Sequence, residues 1–191
     1  MTLDNARAAA KAIGYPVVLK VVADAIPHRS DLGLVAVGLR DEDELTGAWN
    51  EMSRRLEGRK ADGFVVQETA RGVLEVFAGV TRDPDFGLVL AFGAGGVLIE
   101  ALDDVALRCL PLREGDATAM IAETRAATLL AGHRGRPPGD VAALARCLEA
   151  LGDFAWSERA ALKELDVNPI VDRESGAGCV VVDALIVPWA T

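Results

Sequence analysis

Cysteine and histidine are scarce in this chain, which has three cysteines and two histidines among its 191 residues. Cys109, Cys147 and Cys179 are separated by more than thirty residues and form no Cys-x-x-Cys pair. This spacing excludes a zinc-ribbon pattern, and the odd number is untypical of a disulfide framework. We expect the cysteines to be small buried apolar side chains in a reducing compartment.

Positive charge and long apolar runs are also limited. Lysine and arginine total 20 against 29 acidic residues, which gives a net charge of −9 and an isoelectric point near 4.7. This charge repels phosphate backbones and anionic lipid, so we expect no nucleic-acid partner and no membrane partner. The longest uncharged stretch, residues 86–99, has fourteen residues, fewer than the roughly 18–20 that a membrane span needs. With no apolar leader at the N-terminus, the predicted location is the cytoplasm.

The pattern of apolar residues predicts short strands clustered as hairpins, with helices between them. The predicted strands span residues 16–22, 34–39, 63–69, 74–81, 86–92, 105–110, 161–171 and 178–187. The predicted helices span residues 3–13, 41–56, 114–123 and 138–154. Turn residues such as Arg71-Gly72 and Asp83-Pro84-Asp85 suit antiparallel neighbours. We therefore predict an α+β fold rather than regular βαβ units.

The last predicted hairpin carries a polar stripe. Side chains alternate along a strand, so Glu164, Asp166 and Asn168 share one face. If Ser175-Gly176 is the centre of the turn, residues whose numbers sum to 351 lie opposite each other, which pairs Asn168 with Asp183. Two oxygen ligands facing each other are typical of a Mg²⁺ site at a nucleotide. The alternative is a solvated sheet face with incidental acids.

Other polar residues occur at strand ends and in loops. Lys20 ends an apolar strand and is either a phosphate contact or a surface lysine. His28 lies in a polar loop, where it is either an exposed residue or a carrier of a phosphoryl group or proton. The glycines of residues 93–96 offer backbone N–H groups to an anion, without the spacing of a P-loop or a Rossmann site. Gln67, Glu68 and Glu75 flank a turn, either as site residues or as ordinary strand-end polar groups.

Eight short motifs follow one another along nearly the whole chain. They are residues 14–20 (GYPVVLK), 28–33 (HRSDLG), 65–68 (VVQE), 75–84 (EVFAGVTRDP), 92–96 (FGAGG), 104–108 (DVALR), 135–138 (GRPP) and 164–169 (ELDVNP). In this order the motifs resemble the ATP-grasp domain of NDP-forming acyl-CoA synthetases, the relatives of succinyl-CoA synthetase β subunits.

The resemblance implies how a nucleotide, ATP or ADP, would be held. Lys20 would bind its phosphates, and the strand of Gln67 and Glu68 would offer its backbone to the base. Glu75 would hold the ribose hydroxyls. The loop that contains Gly95 and Gly96 would lie near the phosphates. Whether the base is adenine or guanine stays open.

The resemblance also implies the catalytic and metal residues. Asn168 and Asp183 would be the Mg²⁺ ligands, as the hairpin register suggests, and Asp166 would assist in positioning metal or phosphate. Arg108 would lie near the phosphates. His28 would accept a phosphoryl group from a histidine of the CoA-binding part and pass it to ADP.

The implied architecture has antiparallel or mixed sheets with flanking helices and a nucleotide cleft between two lobes. Residues 1–75 would form an N-terminal nucleotide-binding lobe, shortened at its start, and residues 76–191 a C-terminal ATP-grasp lobe. The implied activity is that of an acid–thiol ligase, acid + CoA + ATP ⇌ acyl-CoA + ADP + phosphate. Its CoA-binding and ligase domains, or an α subunit, would be the partners.

Two positions depart from the family pattern. Leu34 and Ala36 stand where the family has a glycine and a basic residue after the histidine loop. They favour an alternative, a non-catalytic regulatory ATP-grasp-like module associated with a protein acyltransferase. Phosphorylation of His28 distinguishes the two hypotheses.

Overall fold

The computed structural model describes residues 2–23, 32–56, 61–95, 104–132, 135 and 137–189. Contacts divide the chain into two compact units, Met1–Thr69 and Ala70–Thr191. The lobe boundary predicted between residues 75 and 76 falls a few residues later, inside the strand Leu74–Asp83. No helix in the described ranges is long and apolar enough to cross a membrane.

The first unit contains two helices and three strands within its described residues. They are α1 (Leu3–Ile13), β1 (Val17–Val22), β2 (Val35–Leu39), α2 (Glu42–Arg55) and β3 (Gly63–Glu68). The strands form an antiparallel sheet in the order β2-β1-β3. Thr2 caps the start of α1 and Asp41 the start of α2, each accepting a hydrogen bond from a backbone N–H three residues on.

A core on one face of this sheet joins its strands to the helices. The fully buried side chains include Ala6 and Ala10 of α1, Leu45 and Met52 of α2, and Val17, Leu19 and Val21 of β1. Leu34, at 1% exposure, belongs to the same core. The leucine at this position is therefore explained by packing within the first unit.

The described part of the second unit forms a six-stranded antiparallel sheet with three helices. The elements are β4 (Leu74–Asp83), β5 (Gly87–Ala94), β6 (Val105–Cys109), α3 (Asp116–Glu123), α4 (Ala126–Leu130), α5 (Val141–Ser157), β7 (Leu162–Asp172), β8 (Cys179–Val181) and β9 (Ala184–Pro188). The strand order is β6-β5-β4-β7-β8, and β9 also pairs with β7. The α+β fold class and the antiparallel pairing predicted from the sequence are confirmed.

The three helices cover one face of this sheet. Met120 and Ile121 of α3 and Leu144 and Leu148 of α5 pack there in one core with the inward residues of β4, β5 and β7. We call the opposite side of the sheet the open face. It carries residues 77, 79 and 81 of β4 and residues 164, 166 and 168 of β7, because side chains alternate along each strand.

Three element predictions differ from the structure. The single strand predicted over residues 178–187 is two strands, β8 and β9, separated by Val182 and Asp183. The short helix α4 was not predicted. Helix α5 begins at Val141 rather than at Pro138, because Gly139 forms a bridge to Glu174 and Asp140 is the N-terminal cap.

Candidate functional site

Lys20 lies in β1 on the sheet face that points away from the core of the first unit. Val17, Leu19 and Val21 point into that core, so alternation places Lys20 on the other side. Lys20 is only 9% exposed. A lysine this buried is rare and is held by an interacting group. The location fits a charged site better than a surface lysine.

Gln67 lies on the same face, on the neighbouring strand. Val18 of β1 is opposite Gln67, and Lys20 is opposite Val65. The Oε1 atom of Gln67 is buried, and so is the Oγ1 atom of Thr69; neither has a hydrogen-bond partner among the described residues. A buried acceptor without a donor costs about 1–3 kcal/mol. These oxygen atoms therefore fit donors supplied by a ligand, as a nucleotide base or ribose supplies them.

Glu68 ends β3 opposite Val17 and is exposed. It follows Gln67 directly, so its side chain lies on the other face of the sheet. On the sheet face that carries the Gln67 side chain, Glu68 can therefore contribute only its backbone.

In the second unit, Glu164, Asp166 and Asn168 lie on the open face of the sheet. The residues between them, Leu165 and Val167, are 3% and 1% exposed and belong to the core. This is the alternation that the sequence predicts. Three polar side chains therefore form a stripe on the side away from the helices.

Glycine leaves room beside Asp166. Gly79 of β4 is directly opposite Asp166, and Ala91 of β5 is opposite Gly79. A Cβ atom added at Gly79 would lie 3.9 Å from Oδ1 of Asp166. The small residues of this row give a ligand close access to the Asp166 carboxylate.

Asn168 and Asp183 are paired across β7 and the segment between β8 and β9. The Asn168 N–H donates to the Asp183 carbonyl at 3.2 Å, and the Val182 N–H donates to the Pro169 carbonyl at 3.0 Å. The flanking pairs, such as Val171 with Val180 and Val167 with Ala184, have numbers that sum to 351. The hairpin register predicted from the sequence is confirmed.

A β-bulge occurs in β7 at Asn168. Val76 of β4 is opposite Ile170 and Ala78 is opposite Val167, so Phe77 faces both Asn168 and Pro169. Bulges of this kind redirect a side chain and bend the strand, and they are frequent next to functional sites. The bulge also accommodates Pro169, which has no N–H for a regular ladder.

The donor set of Asn168 and Asp183 suits Mg²⁺, which prefers carboxylate and amide oxygen atoms. Asp183 is half-buried, and its Oδ1 accepts a hydrogen bond from the Ala184 N–H at 3.1 Å. Among the described residues, no group of three or more His, Cys, Asp or Glu side chains is placed to hold a metal ion. A magnesium ion here would take its remaining ligands from water and phosphate oxygens.

Glu75 and Gly95 are joined at the ends of β4 and β5. The Gly95 N–H donates to the Glu75 carbonyl at 2.8 Å, and a Cβ atom at Gly95 would lie 2.9 Å from that oxygen. Only glycine fits this close approach. The Glu75 side chain is exposed. Gly96 and His28 lie outside the described residues.

Arg108 is on the opposite side of the sheet from Asp166. It lies across from the buried Leu90 and shares its side of β6 with Ala106. Its Nη2 atom donates to Glu123 of α3 at 2.5 Å, and its Nε lies 3.6 Å from Asp116. The hydrogen bond raises the pKa of Arg108 and lowers that of Glu123. The structure does not bring Arg108 to the polar stripe; the residue ties β6 to α3.

Sequence reasoning missed a buried acid, Asp172, at the end of β7. The residue is fully buried, and one carboxyl oxygen accepts from the Asp140 N–H at 3.0 Å. Burial raises the pKa of Asp172 to about 6. The signal available in the sequence was an acid that directly follows the apolar pair Ile170-Val171.

An open cavity of about 660 Å³ lies near the end of β7, where Asp172 is followed by Arg173. Its lining includes Arg71, Pro137, Arg173 and Glu174. None of the site residues predicted from the sequence lines it. The cavity therefore adds no support to those predictions.

Comparison with known proteins gives a consistent family. A family model described as an ATP-grasp domain matches residues 1–187. The β subunit of ADP-forming acetate–CoA ligase II from Pyrococcus furiosus is 37% identical over 190 residues, which cover 97% of this chain and 80% of that subunit. ADP-forming acetate–CoA ligase II from Archaeoglobus fulgidus is 42% identical over 187 residues, which cover 97% of this chain but 26% of that longer protein.

A solved structure is similar over almost the whole chain. It is the dinucleotide-forming acetyl-coenzyme A synthetase 1 of Ca. Korarchaeum cryptofilum in complex with coenzyme A, Ca-AMPCP and HgCl+, with a TM-score of 0.88 and 38% identity. The alignment covers 98% of this chain and 82% of that one. A second structure of that protein, with coenzyme A and Mg-AMPPCP, has its phosphohistidine segment pointing towards the nucleotide binding site; its TM-score is 0.79, with 38% identity over 98% of this chain and 83% of that one.

Proposed function

This chain belongs to the ATP-grasp domain family, and we propose that it is the nucleotide- and magnesium-binding part of an NDP-forming acyl-CoA synthetase. The reaction is acid + CoA + ATP ⇌ acyl-CoA + ADP + phosphate, an acid–thiol ligase activity. The observation that carries the proposal is the pairing of Asn168 with Asp183 beside Asp166 on the open face of the second sheet. Relatives that share 37% and 42% identity with this chain are ADP-forming acetate–CoA ligases.

The proposed nucleotide contacts are polar groups of β1, β3 and β4. Lys20 contacts phosphate oxygens as a cation, and Gln67 accepts a hydrogen bond through its buried Oε1. The backbone next to Glu68 serves the base, and the exposed Glu75 carboxylate accepts from the ribose hydroxyls. Gly95 and Gly96 offer backbone N–H groups to the phosphates.

Asn168 and Asp183 hold magnesium, and Asp166 positions the metal or the phosphate beside them. Bound magnesium neutralises phosphate charge during in-line phosphoryl transfer. The protein contributes fixed positions: the register of β7 sets Asn168 opposite Asp183, and Gly79 keeps the surface beside Asp166 clear. Arg108 is left out of this set, because Glu123 and Asp116 engage it on the other side of the sheet.

His28 receives a phosphoryl group in this proposal. In the direction of ATP use, the bond between the γ-phosphorus and the bridging oxygen breaks and a phosphorus–nitrogen bond forms at His28, releasing ADP. A histidine of the CoA-binding part then takes the group. The partner is either an α subunit or further domains of one chain, since the relatives include both arrangements. The three free thiols agree with a cytoplasmic location.

The first test is a calorimetric titration of the purified chain with ATP and with ADP, each in the presence and absence of Mg²⁺. We expect Mg²⁺ to strengthen binding of both nucleotides. In Asp183→Ala, the gain from Mg²⁺ should disappear, because one of the two protein oxygen ligands is lost. Asp153→Ala is the matched control, since Asp153 is an exposed aspartate of α5.

Two outcomes would contradict the proposal. The first is nucleotide binding that does not respond to Mg²⁺, and the second is an equal effect of the two substitutions. A separate incubation with radiolabelled ATP compares the wild type with His28→Ala. Label on the wild type alone supports the relay, whereas tight binding without label favours the regulatory alternative.

A further inference from the structure

Cys147 and Cys179 come together in the second unit. Cys147 lies in α5 and Cys179 is the first residue of β8. Each thiol influences the pKa of the other. The Sγ atom of Cys179 also lies 3.7 Å from the carbonyl oxygen of Ala143, one helical turn before Cys147. The Cys179 thiol therefore lies against the turn of α5 that leads to Cys147.

The surroundings hold this pair in place. Both cysteines are half-buried and pack against the apolar core of the second unit. The start of α5 is fixed to the turn after β7, because the Asp140 carboxylate accepts hydrogen bonds from the N–H groups of Gly176 and Gly178 at 3.0 and 2.9 Å. The helix and the strand that carry the two thiols are thus already joined at Asp140, about two helical turns before Cys147.

We propose that Cys147 and Cys179 form a reversible intramolecular disulfide by exchange with a low-molecular-weight disulfide such as oxidised glutathione. The Cys179 thiolate attacks one sulfur of the small disulfide, which forms a mixed disulfide and releases one glutathione thiolate. The Cys147 thiolate then attacks Sγ of Cys179 and releases the second. The protein gives up two protons and two electrons, and oxidised glutathione takes them up and becomes two molecules of reduced glutathione.

The environment makes this exchange slow at neutral pH. Burial raises the pKa of Cys147 to about 12 and also raises that of Cys179. The hydrogen bond with Cys147 and the charge of Arg146 lower the pKa of Cys179, whereas the Asp172 and Asp140 carboxylates raise it. Because the thiolate is the reacting form, the rate increases with pH. The pair forms its bond under sustained oxidation rather than as a rapid sensor.

The disulfide would clamp α5 to β8. It links positions 147 and 179, and a cross-link over a loop of this length removes entropy from the unfolded chain. The expected result is a rise of about 5–10 °C in the midpoint of thermal unfolding of the oxidised protein. Reduction with dithiothreitol should reverse the rise.

The test uses Cys109→Ser, because the exposed Cys109 on β6 would react on its own. This variant and its two matched controls, which carry Cys147→Ser or Cys179→Ser in addition, are incubated with oxidised glutathione at about pH 8.5, the ordinary pKa of a free thiol. Each sample is then denatured in acid, alkylated and analysed by peptide mass spectrometry. Diamide serves as a second, stronger oxidant.

The expected product of the parent variant is two hydrogen atoms lighter, resists alkylation and yields one peptide pair linked through Cys147 and Cys179. Each control should keep an alkylatable thiol or carry one glutathione. If the parent stays fully alkylatable with both oxidants, or carries a separate glutathione on each cysteine, the proposal is wrong. If the disulfide-linked product forms but its midpoint of thermal unfolding does not rise, the disulfide does not stabilise the contact between α5 and β8.

Discussion

Asp172 combines full burial with an ionisable group. One carboxyl oxygen accepts a hydrogen bond from the Asp140 N–H, and Oδ1 has no partner among the residues that the structure describes. Burial raises the pKa of this carboxyl to about 6, against the effect of the Asp140 N–H, which lowers it. A carboxyl of this kind binds its proton more tightly in the folded protein than in the unfolded chain.

The sign of the pH dependence follows from this difference. The unfolded pKa is about 3.9, so the folded protein holds the extra proton between about pH 4 and pH 6, and the free energy of unfolding falls as the pH rises through that range. Two pKa units correspond to about 3 kcal/mol. We expect the wild type to lose up to about 3 kcal/mol of stability relative to Asp172→Asn between about pH 4 and about pH 8. Urea unfolding of both proteins at the two pH values measures this change in the stability difference.

Glu174→Gln is the control for this experiment, because Glu174 is an exposed acid in the same hairpin. Its stability difference from the wild type should stay within a few tenths of a kcal/mol at both pH values. If the difference between the wild type and Asp172→Asn does not change with pH, Asp172 does not titrate in this range.

For single residues, the sequence predicts the sheet face on which a side chain lies better than it predicts the groups that the side chain contacts. The stripe of Glu164, Asp166 and Asn168 follows from alternation alone. Arg108 could not be placed in this way, because β6 turns Val105 and Leu107 to the open face, at 42% and 57% exposure, and Arg108 to the helices. The apolar pattern of that strand gives the opposite orientation to the real one, and only the acids of α3 explain it.

The N-terminal cap of α5 also joins two elements. The Asp140 carboxylate accepts hydrogen bonds from the Ala143 N–H of the helix and from the N–H groups of Gly176 and Gly178 in the turn before β8. The N–H of Gly178 is the main cause of the lowered pKa of Asp140. By contrast, Asp41 accepts one cap hydrogen bond, from the Glu44 N–H of α2.

We expect Asp140→Ala to destabilise its unit more than Asp41→Ala destabilises the first unit. Loss of a single aspartate cap costs about 0.5–2 kcal/mol. The loss at Asp140 should be about two- to threefold larger, because two further backbone donors lose their acceptor. Urea unfolding of both variants, followed by hydrogen exchange to assign the unit affected, gives the two values. Equal losses of stability in the two variants would show that the hydrogen bonds from Gly176 and Gly178 contribute nothing.

Most elements could be predicted because apolar periodicity and turn residues are local signals. The register of the last hairpin is an example, since one turn position and strict alternation determine every pair. The break between β8 and β9 could not be predicted, because it coincides with a bulge whose cause is the pairing of β7 with β4. The start of α5 was misplaced for a similar reason: the Gly139 N–H donates to Leu130, which lies nine positions earlier in sequence.

The whole chain matches only part of the length of its relatives. Its match covers 80% of a β subunit in one relative and 26% of a single-chain ligase in another. Family and fold class could be predicted at this scale, because the order of eight motifs is specific even where each motif is short. The acyl substrate could not, since the motifs concern nucleotide, magnesium and phosphoryl transfer.

We expect the purified chain to bind nucleotide without producing acyl-CoA. Acetate, CoA, ATP and Mg²⁺ are supplied together, and acyl-CoA is measured by chromatography. A two-subunit relative assayed in parallel is the positive control. The reason is that acyl transfer to CoA belongs to the partner in our proposal. Steady formation of acyl-CoA by the chain alone would show that the partner is not needed.

The close packing around Asp172 has a consequence for the evolution of this domain. A Cβ atom at Gly139 would lie 2.1 Å from Oδ2 of Asp172 and 2.7 Å from a methyl group of Leu130. The leucine side chain can rotate away, but the carboxylate is fixed by the Asp140 N–H. A side chain larger than glycine at position 139 therefore requires a smaller residue at position 172, so we expect the substitution at 172 to come first in any lineage that changes both.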